Sequence, residues 1–268
     1  LMDYKKAGIN RLSIGLQSTD NDTLKRIGRI HSYEDFVETY DMAREIGFDN
    51  INVDFMIALP GEDEWSVAIQ ISEIINLKPE HISCYSLILE DGTRLKEMVD
   101  SGEVALPTDE EERKMYWKMK ELLEENGYEH YEISNFSRPG YRSRHNMDCW
   151  SQKEYLGFGT AAHSYFGGRR FSNKKTIEEY IENYSEKEIE EDQTEEDMKK
   201  EYMMLGLRKI EGVSISEFEQ KFQINPLFYF RFEISKLVDE DLIEIDLDNI
   251  KLTKKGLDLA NLVWEEFV

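Results

Sequence analysis

An imidazole, an amide, a thioether and a thiol lie within five residues of one another in His145-Asn146-Met147-Asp148-Cys149-Trp150. These side chains ligate soft or borderline metals, heme iron included. The same histidine and asparagine could instead hydrogen-bond a loop backbone, and local chemistry leaves both readings open. Arg138, Arg142 and Arg144 precede the run, and Gly157-Phe158-Gly159-Thr160-Ala161-Ala162-His163 follows it. A run of small residues lets a backbone approach a ligand closely, or lets two elements pack tightly.

A second group sits further upstream. Gln17 closes the apolar run Arg11 to Gln17, Arg29 lies in the loop after it, and Asp54 interrupts the apolar run Val53 to Leu59. A carboxylate on a buried strand must be paired or hydrogen-bonded. A structural arginine and a ligand are equal candidates for its partner.

Other chemistry is absent. The two cysteines, Cys84 and Cys149, lie 65 positions apart, which gives neither a disulfide framework nor a metal-ligand spacing and fits a reducing compartment. No residue is read as catalytic, because neither a Ser-His-Asp arrangement nor a phosphate-cradling GxxxxGK[ST] loop has support. His31 and His81 read as structural singletons, and Met115 with Met119 as a core stripe.

The elements that must position these residues repeat one unit. Met2 to Gly8 reads as the end of a helix running into a strand, Asn10 to Gln17. Ser32 caps a helix through Phe36, Tyr40, Ala43 and Ile46 to Gly47. A strand from Ile51 to Leu59 precedes a helix with Trp65, Ala68, Ile71 and Ile75 on one face. A third strand, His81 to Leu89, leads to a Thr108–Glu111 capping box and a helix to Gly127. Strand then helix, three times over, predicts a parallel sheet covered by helices, with its chemistry at the carboxyl ends of the strands. The stretch from Gly127 to Tyr165 has no sustained period and reads as a long ordered loop, apart from a short strand over Tyr131 to Ser134 and a turn at Ser137 to Gly140.

At 268 residues, with 40% hydrophobic and 12% aromatic content, the chain can bury one large core and a small second one. No apolar run approaches the length of a membrane span and no signal segment shows at the N-terminus, so a cytoplasmic protein is expected. From Thr176 to Lys200 the chain is strongly acidic and reads as a solvated helical linker. Beyond it come helices over 214–222 and 226–239, a strand pair around 243–252 and a last helix from Thr253, a winged-helix-like plan. From Glu211 to Val268 there are 13 acidic and 6 basic residues, and the whole chain carries −23. An acidic module lacks the phosphate-contact term that drives nucleic-acid binding, so no nucleic-acid partner is expected.

The run YEISNFSRPG, then SRHN..CW and GFG.AAHSY, resembles the radical S-adenosylmethionine (SAM) proteins related to oxygen-independent coproporphyrinogen III oxidase, and within them the HemW-type heme chaperone branch with its HNxxYW motif. Cys149 departs from that motif, standing where it has tyrosine. The resemblance covers nearly the whole chain. It implies an α/β fold: a partial radical SAM (β/α) barrel lacking its first strands over 1–172, an acidic linker helix over 173–200 and a winged-helix-like domain over 201–268. It implies SAM contacts at Gln17, Arg29 and Asp54, with the backbone near Ile88 and the region of His163 as further contacts. It implies heme as bound cargo at this motif, with His145 as the iron ligand or its immediate neighbour and Asn146 and Trp150 beside it. Cys149, Met147 or His163 are the candidates to complete the coordination, and charge and proximity alone set Arg142 and Arg144 against the propionates. Heme-accepting respiratory proteins are the expected partners, and decarboxylation of coproporphyrinogen III is the alternative activity. The family's [4Fe-4S] cluster needs three cysteines spaced CxxxCxxC, and two cysteines cannot supply them. The chain is therefore expected to be an N-terminally incomplete protein, inactive alone as an enzyme, whose missing strands leave a sheet edge open to self-association.

Overall fold

A computed structural model describes residues 1–268, and the chain divides into two compact units, Leu1–Arg142 and Ser143–Val268. The expected boundary at residue 172 falls inside the second unit.

The first unit opens with α1 (Met2–Lys6), β1 (Leu12–Gln17) and α2 (Asn21–Arg26), a helix the sequence reading left as loop. Then come α3 (Tyr33–Glu45), β2 (Ile51–Ile57), α4 (Glu64–Leu77), β3 (His81–Ser86), α5 (Arg94–Asp100) and α6 (Asp109–Glu125). A hairpin of β4 (Glu129–Glu132) and β5 (Asn135–Ser137) completes it. Helix starts follow local chemistry: Ser32 with Asp35, and Thr108 with Glu111, form capping boxes that satisfy orphan N–H groups.

The sheet order is β1-β2-β3-β5-β4, with β1 at an open edge. Strands β1, β2 and β3 are parallel as expected, but β5 runs antiparallel to β3 and β4 antiparallel to β5. The sheet is mixed because the Ile133-Ser134 turn folds the chain straight back, without the helical crossover that a parallel neighbour requires. The expected strand from Tyr131 to Ser134 is thus the end of one strand and a turn.

One face of the sheet is apolar. Leu16, Val53, Phe55, Ile57, Ile82 and Cys84 pack beneath Phe36, Tyr40, Val67, Ile71, Ile74, Met115 and Met119, all buried. The buried stripe of α4 is Val67, Gln70, Ile71 and Ile74, and Trp65, expected on that stripe, is 75% exposed. The opposite face carries Ser13, Asn52, Asp54, His81, Ser83 and Asn135, as the two-residue strand period requires.

The second unit starts with α7 (Arg144–Trp150), followed by β6 (His163–Phe166), β7 (Arg169–Asn173), α8 (Ile177–Glu182), β8 (Lys187–Asp192) and α9 (Glu195–Gly206). The loop expected from Gly127 to Tyr165 therefore contains a hairpin and a helix, and the acidic run from Thr176 to Lys200 is helical at its two ends, α8 and the start of α9, but a strand, β8, at its centre. β8 pairs antiparallel with β7, and its carboxylates find basic partners across the strands: Arg169 lies 2.5 Å from Glu190 and 2.9 Å from Asp192.

The rest comprises β9 (Val213–Ser214), α10 (Ile215–Phe222), α11 (Pro226–Tyr229), α12 (Arg231–Asp239), β10 (Ile243–Asp246), β11 (Asn249–Leu252), α13 (Lys254–Asp258) and α14 (Ala260–Glu265). The sheet order β10-β11-β9 with helices around Phe218, Phe230, Ile234 and Leu237 is the winged-helix-like plan. Its two longer expected helices are each broken, at Phe230 and at Leu259. No helix is long and apolar enough to cross a membrane.

Candidate functional site

In the first unit the polar sheet face is wired together. Asp54 accepts from Ser13 Oγ at 2.9 Å and from Asn52 Nδ2 at 2.8 Å, so its strand partners are two neutral donors and not the arginine that was one candidate. Asn52 Nδ2 also reaches Ser13 Oγ at 2.7 Å, and Asn52 Oδ1 lies 2.6 Å from His81 Nδ1. A carbonyl oxygen only accepts, so His81 donates from Nδ1 and accepts at Nε2 from Tyr131 Oη, 2.7 Å away. Burial, followed by the charge of Arg11, lowers the His81 pKa to about 3, so the ring stays neutral and the tautomer fixed.

Gln17 ends β1 at an irregular register against β2, with φ of 67°, in the left-handed region. It is 8% exposed, and its Oε1 has no hydrogen-bond partner. A buried acceptor left over at a strand's carboxyl end fits a ligand that brings a hydroxyl or amine. Arg29 and Ile88 line one cavity of about 290 Å³ with Gly28, Met56 and Leu87. Met56 stands two residues beyond Asp54 on the same strand face. His163, the fifth expected SAM contact, belongs to the second unit, where it opens β6 and is exposed. Gln17 and Asp54 do not line that cavity, though the acceptors they offer and the cation of Arg29 are of the kinds that the hydroxyl, amine and carboxylate groups of SAM would pair with. The thiols do not fit the cluster: Cys84 is buried in the core, Cys149 is half-buried in the other unit, and no group of three metal-binding side chains exists.

Sequence reasoning missed a second buried relay at these strand ends. Glu62 accepts from Leu59 N–H at 2.9 Å and from Gln70 Nε2 at 2.8 Å, while Gln70 Oε1 accepts from Ser18 Oγ at 2.7 Å and Thr19 N–H at 2.9 Å. The loops after β1 and β2 are tied through one carboxyl. Burial pushes its pKa up to about 7 from 4.5. Between those values the folded chain holds more protons than the unfolded chain, so this group favours folding at low pH and loses that contribution as pH rises through 7. Urea unfolding of wild type and Glu62→Gln should show wild type losing roughly 3 kcal/mol relative to the variant between pH 4 and pH 8. A pH-independent difference would contradict this assignment.

In the second unit, α7 carries the His145–Trp150 run. Ser143 caps it toward Asn146 N–H, and His145 and Cys149 stand four residues apart on one helical face, Nε2 to Sγ 3.9 Å. Tyr155 meets the His145 ring edge-on with centroids 6.3 Å apart. His145 and Arg144 are exposed, and Asn146, Met147, Cys149 and Trp150 are half-buried. Burial pushes the Cys149 thiol up. The other end of the helix is anchored. Trp150 stacks under the Arg208 guanidinium at 4.5 Å, with Trp264 on Arg208 at 4.7 Å. The adjacent Gln152 donates to Met198 O and Glu201 Oε2, both at 2.9 Å, and accepts from Lys221 Nζ at 2.8 Å. Trp150 therefore acts first as an anchor.

Arg142, in the first unit, is already paired with Glu129 at 3.2 Å. After α7 the chain exposes Leu156 by 50% and Phe158 by 85%. Gly157 between them lacks a side chain for a steric reason, since a Cβ there would lie 2.2 Å from the His163 carbonyl oxygen.

Residues 1–69 match the Radical SAM superfamily and residues 193–259 the HemN C-terminal domain. The heme chaperone HemW of Bacillus subtilis is 38% identical over 269 residues, covering 98% of this chain and 71% of the relative. The chain belongs to the HemW family. The HemW of Lactococcus lactis is 36% identical and is covered over 70% of its length. Coproporphyrinogen III oxidase (HemN) from Escherichia coli, a radical SAM enzyme, has the same fold, with a TM-score of 0.81 and 21% identity over 99% of this HemW-family chain and 66% of that structure. The radical SAM α/β fold and the HemN-type C-terminal domain are thereby established for this chain.

Proposed function

We propose that this chain binds heme at α7 through His145 and passes it to heme-accepting respiratory proteins. One observation carries the reading: an exposed imidazole on an anchored helix, followed directly by the exposed apolar residues Leu156 and Phe158. A porphyrin needs an axial ligand and apolar cover, and both are offered within one segment. HemW relatives bear the name heme chaperone, which supports this function. The likeness to coproporphyrinogen III oxidase is one of fold and carries no activity. Arg144, exposed beside His145, would meet a propionate.

An anaerobic titration of ferrous heme, followed at the Soret band, tests the reading. Wild type is expected to saturate at one heme per chain, and His145→Ala to bind about tenfold more weakly or worse. Equal binding by both proteins would remove His145 from the site.

The first unit would hold SAM with Gln17, Arg29, Asp54 and the backbone near Ile88, the oxygen of Gln17 taking a hydroxyl or amine. Bound SAM would supply the sulfonium chemistry of the superfamily. Gln17→Leu deletes the unpartnered oxygen, and equilibrium dialysis should show SAM affinity lowered about fivefold, the worth of one hydrogen bond. Unchanged affinity would take Gln17 out of the SAM contacts.

A further inference from the structure

His145 and Cys149 are both iron-ligating side chains, and they project from the same face of α7 with Nε2 and Sγ 3.9 Å apart. Two axial ligands of one heme stand on opposite faces of the macrocycle. To be bound by both, a porphyrin plane would have to pass between two side chains of the same seven-residue helix, whose own backbone closes that gap. The iron can therefore take one of them at a time. The helix cannot readily swing away to relieve this, because Trp150 and Gln152 fix its carboxyl end against Arg208, Met198, Glu201 and Lys221.

We propose that His145 and Cys149 are alternative axial ligands to a single heme, exchanged by the oxidation state of the iron: Cys149 holds ferric heme and His145 holds ferrous heme. The inference rests on the heme reading above and adds to it the regulation of that site. The charge balance sets the direction. Ferric porphyrin carries one net positive charge at its centre, which an anionic thiolate neutralises, and ferrous porphyrin carries none, so the neutral imidazole suffices. When ferric heme binds, the Cys149 thiol gives its proton to solvent and its sulfur displaces a water from the iron, forming the Fe–S bond. A one-electron donor such as a reduced flavin then converts Fe(III) to Fe(II), the Fe–S bond breaks, the thiolate recovers a proton from solvent, and His145 Nε2 takes the vacated position. The sulfur and nitrogen are close enough for the exchange to need only side-chain rotation and a small shift of the heme. Reduction would thereby move the cargo from an anionic to a neutral ligand, a step toward release.

The experiment uses the full chain with stoichiometric heme, anaerobically, by absorption and electron paramagnetic resonance before and after dithionite, for wild type, Cys149→Ser and His145→Ala. Ferric wild type should show a thiolate-ligated spectrum that Cys149→Ser lacks, with ferric affinity in that variant reduced about tenfold or more. After reduction, wild type and Cys149→Ser should share one imidazole-ligated spectrum, and His145→Ala should lose it. An imidazole spectrum in both oxidation states would overturn the exchange while the heme reading stands, and a thiolate spectrum in both would overturn the exchange and take His145 out of the site. Failure of wild type to bind heme saturably in either state would overturn both.

Discussion

Asn52→Ala is expected to cost the first unit about 3–5 kcal/mol, because it strands several polar groups on one sheet face at once. Asn52 is 3% exposed and stands at the junction of two strands' hydrogen bonds. Its amide nitrogen serves Asp54 and Ser13, and its oxygen serves His81 and, at 3.1 Å, the hydroxyl of Ser83. Removing the amide leaves the His81 Nδ1–H without an acceptor in a place where the ring cannot ionise to compensate, and leaves Asp54 with one donor. The network does not end there. Ser83 also reaches Asn135 Oδ1 at 2.6 Å, and Asn135 Nδ2 donates to Glu132, so the loss is felt as far as the β4–β5 hairpin. Urea unfolding followed by circular dichroism should show a lowered midpoint for the first unit. A loss below about 1 kcal/mol would mean that neighbours or water replace the amide and that the network is not cooperative. In the SAM reading the same substitution releases the Asp54 carboxylate from its aim, so SAM affinity should fall even at temperatures where the variant is folded.

Much of this architecture was legible in the residues. The apolar runs ending in Gln17, Leu59 and Leu89 gave three strands, of which the last two stop short at Ile57 and Ser86, and Ser32 and Thr108-x-x-Glu111 gave two helix starts, because those signals are local. The features that escaped are non-local or too short to show a period. Helix α7 has seven residues, fewer than two and a half turns, so His145 and Cys149 read as loop residues and their common face stayed hidden. Strand β8, KEIEED, alternates poorly and is held by Arg169 of its partner strand, a pairing that sequence cannot assign before the register is known. The partner of Asp54 escaped for the same reason. Ser13 comes within reach only through the parallel register of β1 and β2, in which Gly15 faces Asp54. Gln17, by contrast, was identified by position and owes its unpartnered oxygen to a bulge and a left-handed backbone that no periodicity announces. The candidate ligand residues were thus legible as types, and their relations to one another were not.

Gly256→Ala is expected to unfold the winged-helix-like part of the second unit, at a cost of about 4 kcal/mol or more. A Cβ at this position would lie 1.8 Å from the backbone oxygen of Leu242 and 2.9 Å from its carbonyl carbon. Neither side can yield cheaply. The Leu242 oxygen accepts from Thr253 N–H at 3.1 Å, a bond that closes the end of the β10–β11 hairpin where Ile243 faces Leu252. Gly256 N–H in turn donates to Thr253 Oγ1 at 2.9 Å, the cap that starts α13. Moving the helix outward breaks the cap, and moving the strand inward breaks the hairpin register, so the steric conflict is passed to the core around Leu237 and Val263. Gly92→Ala is the converse control: its φ of 79° is unfavourable for alanine where helical Gly256 has no such φ, but nothing lies within 4 Å of the added carbon, so only backbone strain of about 1 kcal/mol is expected. Thermal melts of the two variants should separate widely, with the Gly92→Ala midpoint near wild type. Similar midpoints would show that the α13 contact relaxes. Because Gln152 and Trp150 tie α7 to α9, α10 and Arg208, loss of this packing should also free α7, so in the heme reading Gly256→Ala should lose heme binding along with stability while Gly92→Ala keeps it.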